Sequence, residues 1–317
     1  MASAPVGATF VAIAPATTSN LGPGFDALGA ALALTNRFVA TVVATPAEAK
    51  VEARGQGAAL LHGASETAVH SGARAAAAEL GLPLPPFALL LDNAVPLGSG
   101  LGSSSTALCA GVALGWALCG RDPAALDRDW LLRLACRLEG HPDNAAPCVL
   151  GGVVVAARGA DGSLHALQLP TPAALHCCAV TPRLSLSTAE MRAALPKQVP
   201  FAAAVDNGVH ATLLGAALAL GRLDLLAVAT RDRLHEHVRG AHIPAFAAVR
   251  AAGLDAGAKA VPISGAGPTM IALCDGANIA VAAGEAMVRA FAAVGVEADA
   301  RPLPIRGSGL ELRTENE

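Results

Sequence analysis

A short segment rich in glycine and serine is the part of this sequence best suited to bind phosphate. Gly98, Gly100 and Gly102 allow backbone N–H groups to converge on an anion without interference from Cβ atoms. The serines stand where a helix is predicted to begin, so one could cap the helix while another offers a hydroxyl to Mg²⁺ or to phosphate. The segment comprises Pro96, Leu97, Gly98, Ser99, Gly100, Leu101, Gly102, Ser103, Ser104 and Ser105.

The spacing within this segment excludes two common nucleotide-binding motifs. It lacks the Gly-Lys-Ser/Thr of a P-loop, and the third glycine of a G-x-G-x-x-G fingerprint would fall at Ser103. Taken alone, the segment is equally well explained as a turn that caps a buried helix. Other parts of the chain have to decide between these two interpretations.

Polar side chains that could bind an acceptor molecule are spread over several other segments. Two glycines and a proline within residues 19–26 predict a loop that presents Asn20 and Asp26. His141 and Asn144 come just after a predicted helix, where the chain breaks at a glycine and a proline. Thr188 and Arg192 are one helical turn apart, which places them on one face.

Composition and charge exclude several classes of function. With 53% hydrophobic and 15% charged residues and a net charge of −3, the chain is typical of a compact globular protein without a basic surface for nucleic acid. The seven cysteines share no C-x-x-C spacing, so we expect buried, reduced thiols. No secretory signal begins the sequence, and the apolar stretch at 107–119 is too short for a bilayer. A cytoplasmic location and no membrane contact are expected.

The elements that must position these residues alternate between strands and helices. We predict strands at residues 9–14, 38–44, 87–91, 151–155 and 177–180, and one leading into 263–267. We predict helices at residues 64–80, 104–119, 130–138, 201–220, 223–237 and 245–256. The apolar segment 201–220 suits either the core or a subunit interface, so a homodimer is one assembly that the sequence allows.

Four segments of the chain resemble the GHMP kinases, a family that includes galactokinase, homoserine kinase, mevalonate kinase and phosphomevalonate kinase. Residues 15–26, 96–105 and 263–269 resemble the first, second and third family motifs, in family order. The first motif and residues 139–152 are similar to the homoserine kinase branch. The resemblance covers nearly the whole chain. It implies an α+β fold with two lobes.

The resemblance assigns a role to each lobe of this two-lobed GHMP kinase fold. Residues 1–162 would form a ribosomal-protein-S5-like N-terminal lobe with the ATP-binding loop. Residues 163–317 would form a ferredoxin-like C-terminal lobe that completes the substrate site. The implied activity is the phosphorylation of the L-homoserine hydroxyl by ATP with Mg²⁺, in threonine biosynthesis. The alternatives are another GHMP kinase acting on mevalonate, shikimate or a sugar, or a ligand sensor that has lost catalysis.

The same resemblance assigns individual residues. ATP would be bound by residues 96–105, and Mg²⁺ by Ser104 and Glu139. Asn20, His141 and Asn144 would hold the reacting hydroxyl. The full set that contacts the acceptor would be Asn20, Asp26, His141, Asn144, Thr188, Arg192, Arg239 and Gly267. Asp26 suits an ammonium group and the two arginines suit a carboxylate, so these side chains favour a zwitterion over a sugar or mevalonate.

Several of these residues also have a purely structural interpretation. Asp26 could cap a helix over residues 27–33, Asn20 could form an Asx-turn, and Arg239 could be a solvated side chain at a helix end. His141 could be structural, and Glu139 could be a surface carboxylate. Because phosphoryl transfer requires mainly alignment and charge compensation, we predict direct transfer without a general base. Asp143, which aligns with the catalytic Asp of other branches, is only a candidate for that role.

Overall fold

The computed structural model of the chain describes residues 3–184 and 186–315. The strands are β1 Thr9–Ser19, β2 Leu28–Val42, β3 Val51–Gly55, β4 Phe87–Asn93, β5 Val153–Arg158, β6 Leu164–Leu169, β7 Leu175–Pro182, β8 Met270–Asp275, β9 Ala298–Pro304 and β10 Glu311–Thr314. The α-helices are α1 Ala58–Leu61, α2 Ala68–Leu80, α3 Ser103–Leu118, α4 Arg128–Glu139, α5 Pro142–Leu150, α6 Thr188–Ala193, α7 Phe201–Ala219, α8 Leu226–Ala229, α9 Glu236–Arg239, α10 Phe246–Asp255 and α11 Ala277–Ala292. Single 3₁₀ turns occur at Pro46–Glu48, Pro123–Ala125, Leu223–Leu225 and Gly240–His242.

The strands form two sheets, one in each lobe. The larger sheet has the order β10-β1-β2-β4-β3, and β5 pairs with both β2 and β6. The smaller sheet is antiparallel, with the order β8-β7-β9. Strand β2 is long enough to pair with β5 through its first residues and with β4 through its last. The mixed α+β architecture confirms the predicted fold class.

The division of the chain at residue 162 stays a prediction. Strands β6 and β10 come after that position, and both belong to the larger sheet. The C-terminal strand β10 returns to pair with β1 through residues 311–314. The last strand is therefore part of the sheet that the first strand begins.

Helix α3 lies directly behind the glycine-serine segment and packs closely on α2. A Cβ on Gly111 would lie 2.3 Å from the Val69 carbonyl oxygen, and a Cβ on Gly72 would lie 2.5 Å from that of Leu108. Such distances are too short for any larger side chain, so these glycines let the two backbones touch. This contact holds the helix that supports the predicted phosphate loop.

A shared apolar core joins the two lobes beneath the loops of the predicted site. It includes Leu21 from the first motif, Leu101 from the glycine-serine segment, Leu214 from α7 and Ile271 from β8. All seven cysteines are free and buried, as predicted. Burying Leu21 and Leu101 anchors two loops that would otherwise be free to move, because each fully buried leucine stabilises the fold by roughly 1.5–3 kcal/mol.

Helix α7 is the one described element that is long and apolar enough to cross a membrane by length and composition alone. That property is weak evidence of a membrane span. The side chain of Asn207 on this helix donates to the Pro23 carbonyl and accepts from the Arg233 N–H. Helix α7 therefore supports loops of the fold itself.

Three predicted elements are wrong. Residues 27–33, read as helix-like, lie mostly in β2, where residues 28–31 bond to β1 or β5. Residues 223–237 do not form one helix, because the carboxylate of Asp232 accepts the N–H groups of Leu234, His235 and Glu236 and so ends one helical segment before another begins. The strand predicted to lead into residues 263–267 is replaced by isolated bridges, from Ala260 to Leu273 and from Ile263 to Met270 in β8.

Candidate active site

A cleft of about 390 Å³ lies at the meeting point of the three motif loops and α6. The structure brings most of the predicted site residues to its walls: Asn20, Asp26, Gly98, Ser99, Gly100, Gly102, Ser103, Ser104, Ser105, Glu139, His141, Asn144, Thr188, Arg192 and Arg239. It does not place Pro96, Leu97, Leu101 or Gly267 there. Leu101 is instead buried in the core that joins the lobes.

The glycine-serine segment ends in an uncapped helix that faces the cleft. Helix α3 begins at Ser103, and its N-cap is Gly102 in the left-handed conformation with φ 69°. The prediction that a serine caps this helix is wrong, since no side chain of the described residues does so. The first-turn N–H groups of Ser103, Ser104 and Ser105 therefore stay open at a positive helix end, which favours a phosphate.

The three motif loops are held together by hydrogen bonds and close packing of their backbones. The Ser264 hydroxyl donates to the Gly100 carbonyl over 2.8 Å, and the Gly265 N–H donates to the Ser19 carbonyl over 3.1 Å. A Cβ on Gly100 would lie 2.3 Å from the Ser264 carbonyl oxygen, so glycine is needed there for close approach. Gly267 does not line the cleft, and a Cβ on it would lie 3.3 Å from the Ile263 side chain. Its predicted contact with the substrate stays a prediction.

Glu139 ends α4 at the cleft beside the helix end of α3. One carboxylate oxygen accepts a hydrogen bond from Ser105, and the binding of a metal ion by Glu139 and Ser104 stays a prediction. The other oxygen is buried and has no hydrogen-bond partner among the described residues. Burial raises the pKa of Glu139 to about 7, against the opposing effect of Ser105. The surface-carboxylate interpretation of Glu139 is therefore wrong.

The side-chain amides of Asn20 and Asn144 are engaged with the motif loops. Asn20 donates to the Gly265 carbonyl over 3.1 Å and accepts from the Asp26 N–H over 3.1 Å. Asn144 accepts from the Thr17 hydroxyl over 2.7 Å and donates to Ser19 over 2.9 Å. Both residues line the cleft, but each ties loops together there, so their contact with a reacting hydroxyl stays a prediction.

His141 and Asp143 form a pair at the floor of the cleft. The Nδ1 atom of His141 lies 2.7 Å from Asp143 Oδ1, and the Asp143 side chain is only 3% exposed. The hydrogen bond to Asp143 raises the pKa of His141, and burial opposes it. Because Nδ1 is occupied, Nε2 is the nitrogen left for a ligand.

Asp26 and Arg192 pair with each other across the cleft. Arg192 Nη1 donates to Asp26 Oδ2 over 2.9 Å, and Nη2 donates to Oδ1 over 2.6 Å. The hydrogen bond to Asp26 raises the pKa of Arg192 further. Arg192 stands one turn after Thr188 on α6, as predicted. Strand β2 follows Asp26, so the helix-cap interpretation of this residue is wrong.

Arg239 points toward the same end of the cleft from α9. It is 3% exposed, which rules out the solvated interpretation. Its Nη1 atom donates to the Gly265 carbonyl over 2.9 Å, and its buried Nε has no partner among the described residues. Burial lowers the pKa of Arg239, and the nearby Arg192 lowers it further. Both guanidiniums lie near the ring of Phe25, whose centroid is 5.5 Å from Arg192 Cζ and 5.3 Å from Arg239 Cζ.

Comparison with known proteins agrees with this geometry. Residues 67–152 match the family model of the GHMP kinases N terminal domain, and residues 211–293 match that of the GHMP kinases C terminal. A homoserine kinase of Synechococcus sp. is 40% identical over 96% of this chain and 97% of its own length. One from Moorella thermoacetica is 40% identical over 91% of this chain and 95% of its own length.

The chain belongs to the GHMP kinase family. As a GHMP kinase it is an ATP-dependent small-molecule kinase. A crystal structure of homoserine kinase from Cytophaga hutchinsonii has a TM-score of 0.85 with 29% identity, covering 99% of this chain and 100% of that one. Mevalonate kinase of L. major shares the fold, with a TM-score of 0.68 at 15% identity over 97% of this chain and 100% of that one.

The sequence did not identify every feature of this GHMP kinase site. An apolar pocket of about 230 Å³ lies on the other side of the phosphate loop, lined by Phe38, Leu61, Thr67, Ala68, Val69, Leu91, Asn93, Leu97, Gly98, Ser103, Ser104 and Ala107. Most of its lining residues come from two strands and three helices, so no local sequence pattern could predict the pocket. His235 and Phe25 were also missed, although Phe25 lies within a predicted motif.

Proposed function

We propose that this GHMP kinase is a homoserine kinase, which transfers the γ-phosphoryl group of ATP to the hydroxyl of L-homoserine as a step of threonine biosynthesis. The observation that carries the proposal is the charge pattern at one end of the cleft. Asp26 faces Arg192 and Arg239 there, so a carboxylate and two guanidiniums meet within one site. That pattern matches an amino-acid zwitterion. The homoserine kinase relatives support the same acceptor.

The nucleotide would be bound by both sides of the phosphate loop. Gly98, Ser103 and Ser104 line the cleft and also the apolar pocket behind it. An adenine ring suits the apolar pocket, where Phe38 and Val69 are buried, and the phosphates suit the open N–H groups of α3. Leu97, predicted to contact ATP, would then contact the base rather than the phosphates.

The residues at Glu139 fit a Mg²⁺ ion. The carboxylate oxygen without a partner is a buried hard ligand, the exposed Ser104 lines the same cleft, and Mg²⁺ takes few protein oxygens beyond those of a nucleotide. When bound, Mg²⁺ would neutralise charge that develops on the transferred phosphoryl group. Ser105 would orient the carboxylate from its other side.

Alignment of the acceptor would fall to the residues at the opposite end of the cleft. Asp26 would bind the ammonium, and Arg192, Arg239 and Thr188 would bind the carboxylate. The hydroxyl oxygen would then face the γ-phosphorus near His141 and Asn144. In the transfer, the new bond forms between that oxygen and phosphorus, the bond to the β-phosphate oxygen breaks, and the hydroxyl proton passes to phosphate oxygen or solvent.

One measurement tests the acceptor. ADP release is followed with purified protein, ATP and Mg²⁺ on addition of L-homoserine, mevalonate, galactose or shikimate in parallel. We expect stimulation by L-homoserine far above the other three. A protein that responds to another acceptor, or to none, contradicts the proposal; the last result identifies a ligand sensor if homoserine still binds.

We also propose a cytoplasmic homodimer that uses the outer face of α7. Phe201, Val205 and Val209 follow one another at intervals of four residues, and their side chains are 84%, 49% and 59% exposed. An apolar face of this kind favours a second copy of the chain. Light scattering of the wild type and of Val205→Glu tests it, since the variant should be monomeric.

A further inference from the structure

We propose that His235 is a positioning residue that aims Arg239 at the acceptor carboxylate. This inference rests on the proposed function, because it concerns the same acceptor. His235 does not line the cleft, and its side chain is fully buried behind the loop of the first motif. It stands four residues before Arg239, at the N-cap of α9.

The two ring nitrogens of His235 have different partners. Nε2 lies 2.9 Å from the carbonyl oxygen of Gly22, which can only accept a hydrogen bond. Nδ1 lies 3.3 Å from Nη1 of Arg239, which can only donate. Both contacts are satisfied by a single state, in which the ring is neutral and carries its proton on Nε2. Asp232 Oδ1 also lies 3.6 Å from Nε2 and raises the pKa of His235, but burial has the larger effect and lowers it, in agreement with a neutral ring.

These contacts fix which donors of Arg239 remain for a ligand. Nη1 is occupied by His235 Nδ1 and by the Gly265 carbonyl. The Nε atom is buried without a partner in the described part of the chain. All the hydrogen bonds of the Arg239 side chain to described residues are made by Nη1, so Nη2 is the donor left for the acceptor carboxylate, and a bond there would join two charged groups.

His235 also connects the two halves of the acceptor site. Through Gly22 it contacts the loop that carries Asp26, and its ring lies 5.2 Å from that of Phe25, which both arginines approach. A Cβ on Gly22 would lie 2.3 Å from the Thr230 carbonyl oxygen, so the loop is pressed against the segment that leads to His235. Arg239, which would bind the carboxylate, is thereby held at a fixed position relative to Asp26, which would bind the ammonium.

Two amide variants separate the two hydrogen bonds of His235. In His235→Asn, the amide oxygen can take the place of Nδ1 and still accept from Arg239. In His235→Gln, the amide nitrogen can take the place of Nε2 and donate to Gly22, but nothing accepts from Arg239. We expect KM for homoserine to rise about tenfold in His235→Gln and much less in His235→Asn, because only His235→Gln loses the hydrogen bond to the charged Arg239. In both variants KM for ATP should stay within about twofold of wild type.

A ligand without a carboxylate distinguishes positioning from general damage. For 3-aminopropan-1-ol, used as a competitor of homoserine, wild type and His235→Gln should show the same inhibition constant. Equal losses in the two variants, or an equal loss for 3-aminopropan-1-ol, would overturn the proposal. Absence of any homoserine-dependent ADP release by the wild type is a different result, since it contradicts the proposed function itself.

The wild-type protein offers a test that needs no variant. Nitrogen-15 NMR of the imidazoles reports which ring nitrogen is protonated. We expect a neutral His235 with its proton on Nε2 near neutral pH. A proton on Nδ1, or on both nitrogens, would rule out the bond to Arg239 and with it the positioning role, whether or not the variants fold.

Discussion

Asp26 and Arg192 neutralise each other through two parallel hydrogen bonds, although one belongs to the first motif and the other to α6. The side chains are 33% and 44% exposed, and an ion pair so open to water is worth about 0–1 kcal/mol. A zwitterion can therefore replace both partners at low cost, with its ammonium on Asp26 and its carboxylate on Arg192. A sugar offers no charge for either, and a hydroxy acid would leave Asp26 without a partner.

Asp26→Asn should weaken homoserine binding without affecting the nucleotide. An amide oxygen can accept from an ammonium but carries no charge to form an ion pair, and losing that pairing of charges should raise KM for homoserine roughly tenfold to a hundredfold. KM for ATP should not change. Steady-state kinetics measure both values, and 4-hydroxybutyrate, which lacks the ammonium, should bind the variant at least as well as the wild type, because it strands no Asp26 charge there.

A matched control for Asp26→Asn is available on the surface. Arg222 and Asp224 form a similar two-bond pair that does not line the cleft, and both are well exposed. Asp224→Asn should leave both KM values as they are. An Asp26→Asn enzyme with unchanged KM for homoserine would show that Asp26 does not bind the ammonium.

Gly100→Ala should separate the phosphate loop from the third motif. The new Cβ would lie 2.3 Å from the Ser264 carbonyl oxygen, at a φ of 84° that is strained for alanine. Gly81 is the control, since its φ is 65° and the space around its Cβ position is open among the described residues. Gly81→Ala should lower the free energy of unfolding by about 1–2 kcal/mol. Gly100→Ala should lower it more and also raise KM for ATP, as denaturant unfolding and kinetics would show.

The sequence predicted well what depends on local pattern. The glycines of the phosphate loop and the apolar run behind it predicted a helix at 104–119, and the structure has one at Ser103–Leu118. The i,i+4 spacing of Thr188 and Arg192 predicted that the two share one helix face, and α6 places them one turn apart. In both cases the decisive contacts lie within a few residues, so the sequence contains the whole signal.

What the sequence could not predict depends on distant partners. The alanine-rich start of β2 has no strand pattern of its own and is a strand because β1 and β5 bond to it on both sides. Asn207 and His235 hold the first motif loop from positions 184 and 213 residues away. No spacing in the sequence indicates such a contact. The same holds for Asp26 and Arg192, which were predicted to bind a ligand and not each other.

Glu139→Gln should remove activity yet stabilise the metal-free protein in alkaline solution. The folded-state pKa of about 7 exceeds the usual value of 4.5, so the folded protein holds the proton more tightly than the unfolded chain does. The stability that this contributes is fully present below the unfolded pKa and is lost as the pH rises through 7 and the buried carboxyl ionises. Removing the buried charge should raise the free energy of unfolding by about 3 kcal/mol above pH 7 and change it little near pH 4. Denaturant unfolding of both proteins at the two pH values, with a metal chelator, measures the difference; equal stability at high pH would contradict a buried carboxylate.

Asp143→Asn decides whether transfer needs a general base. In the structure Asp143 bonds to Nδ1 of His141, and the asparagine oxygen can still accept that bond, so the ring should keep its orientation. If transfer is direct, kcat should fall by less than about tenfold, whereas removal of a general base costs about 10²–10⁴.

The pH profile of Asp143→Asn gives an independent test of the same arrangement. The Asp143 carboxylate raises the pKa of His141, so the imidazole of the wild type stays cationic to higher pH than it would without this partner. If a neutral His141 Nε2 contacts the acceptor hydroxyl, kcat/KM falls as pH drops through that pKa, and the variant should shift this limb to lower pH. A loss of a hundredfold or more in kcat with both KM values intact would instead make Asp143 the base, because alignment would then be preserved and only proton transfer lost.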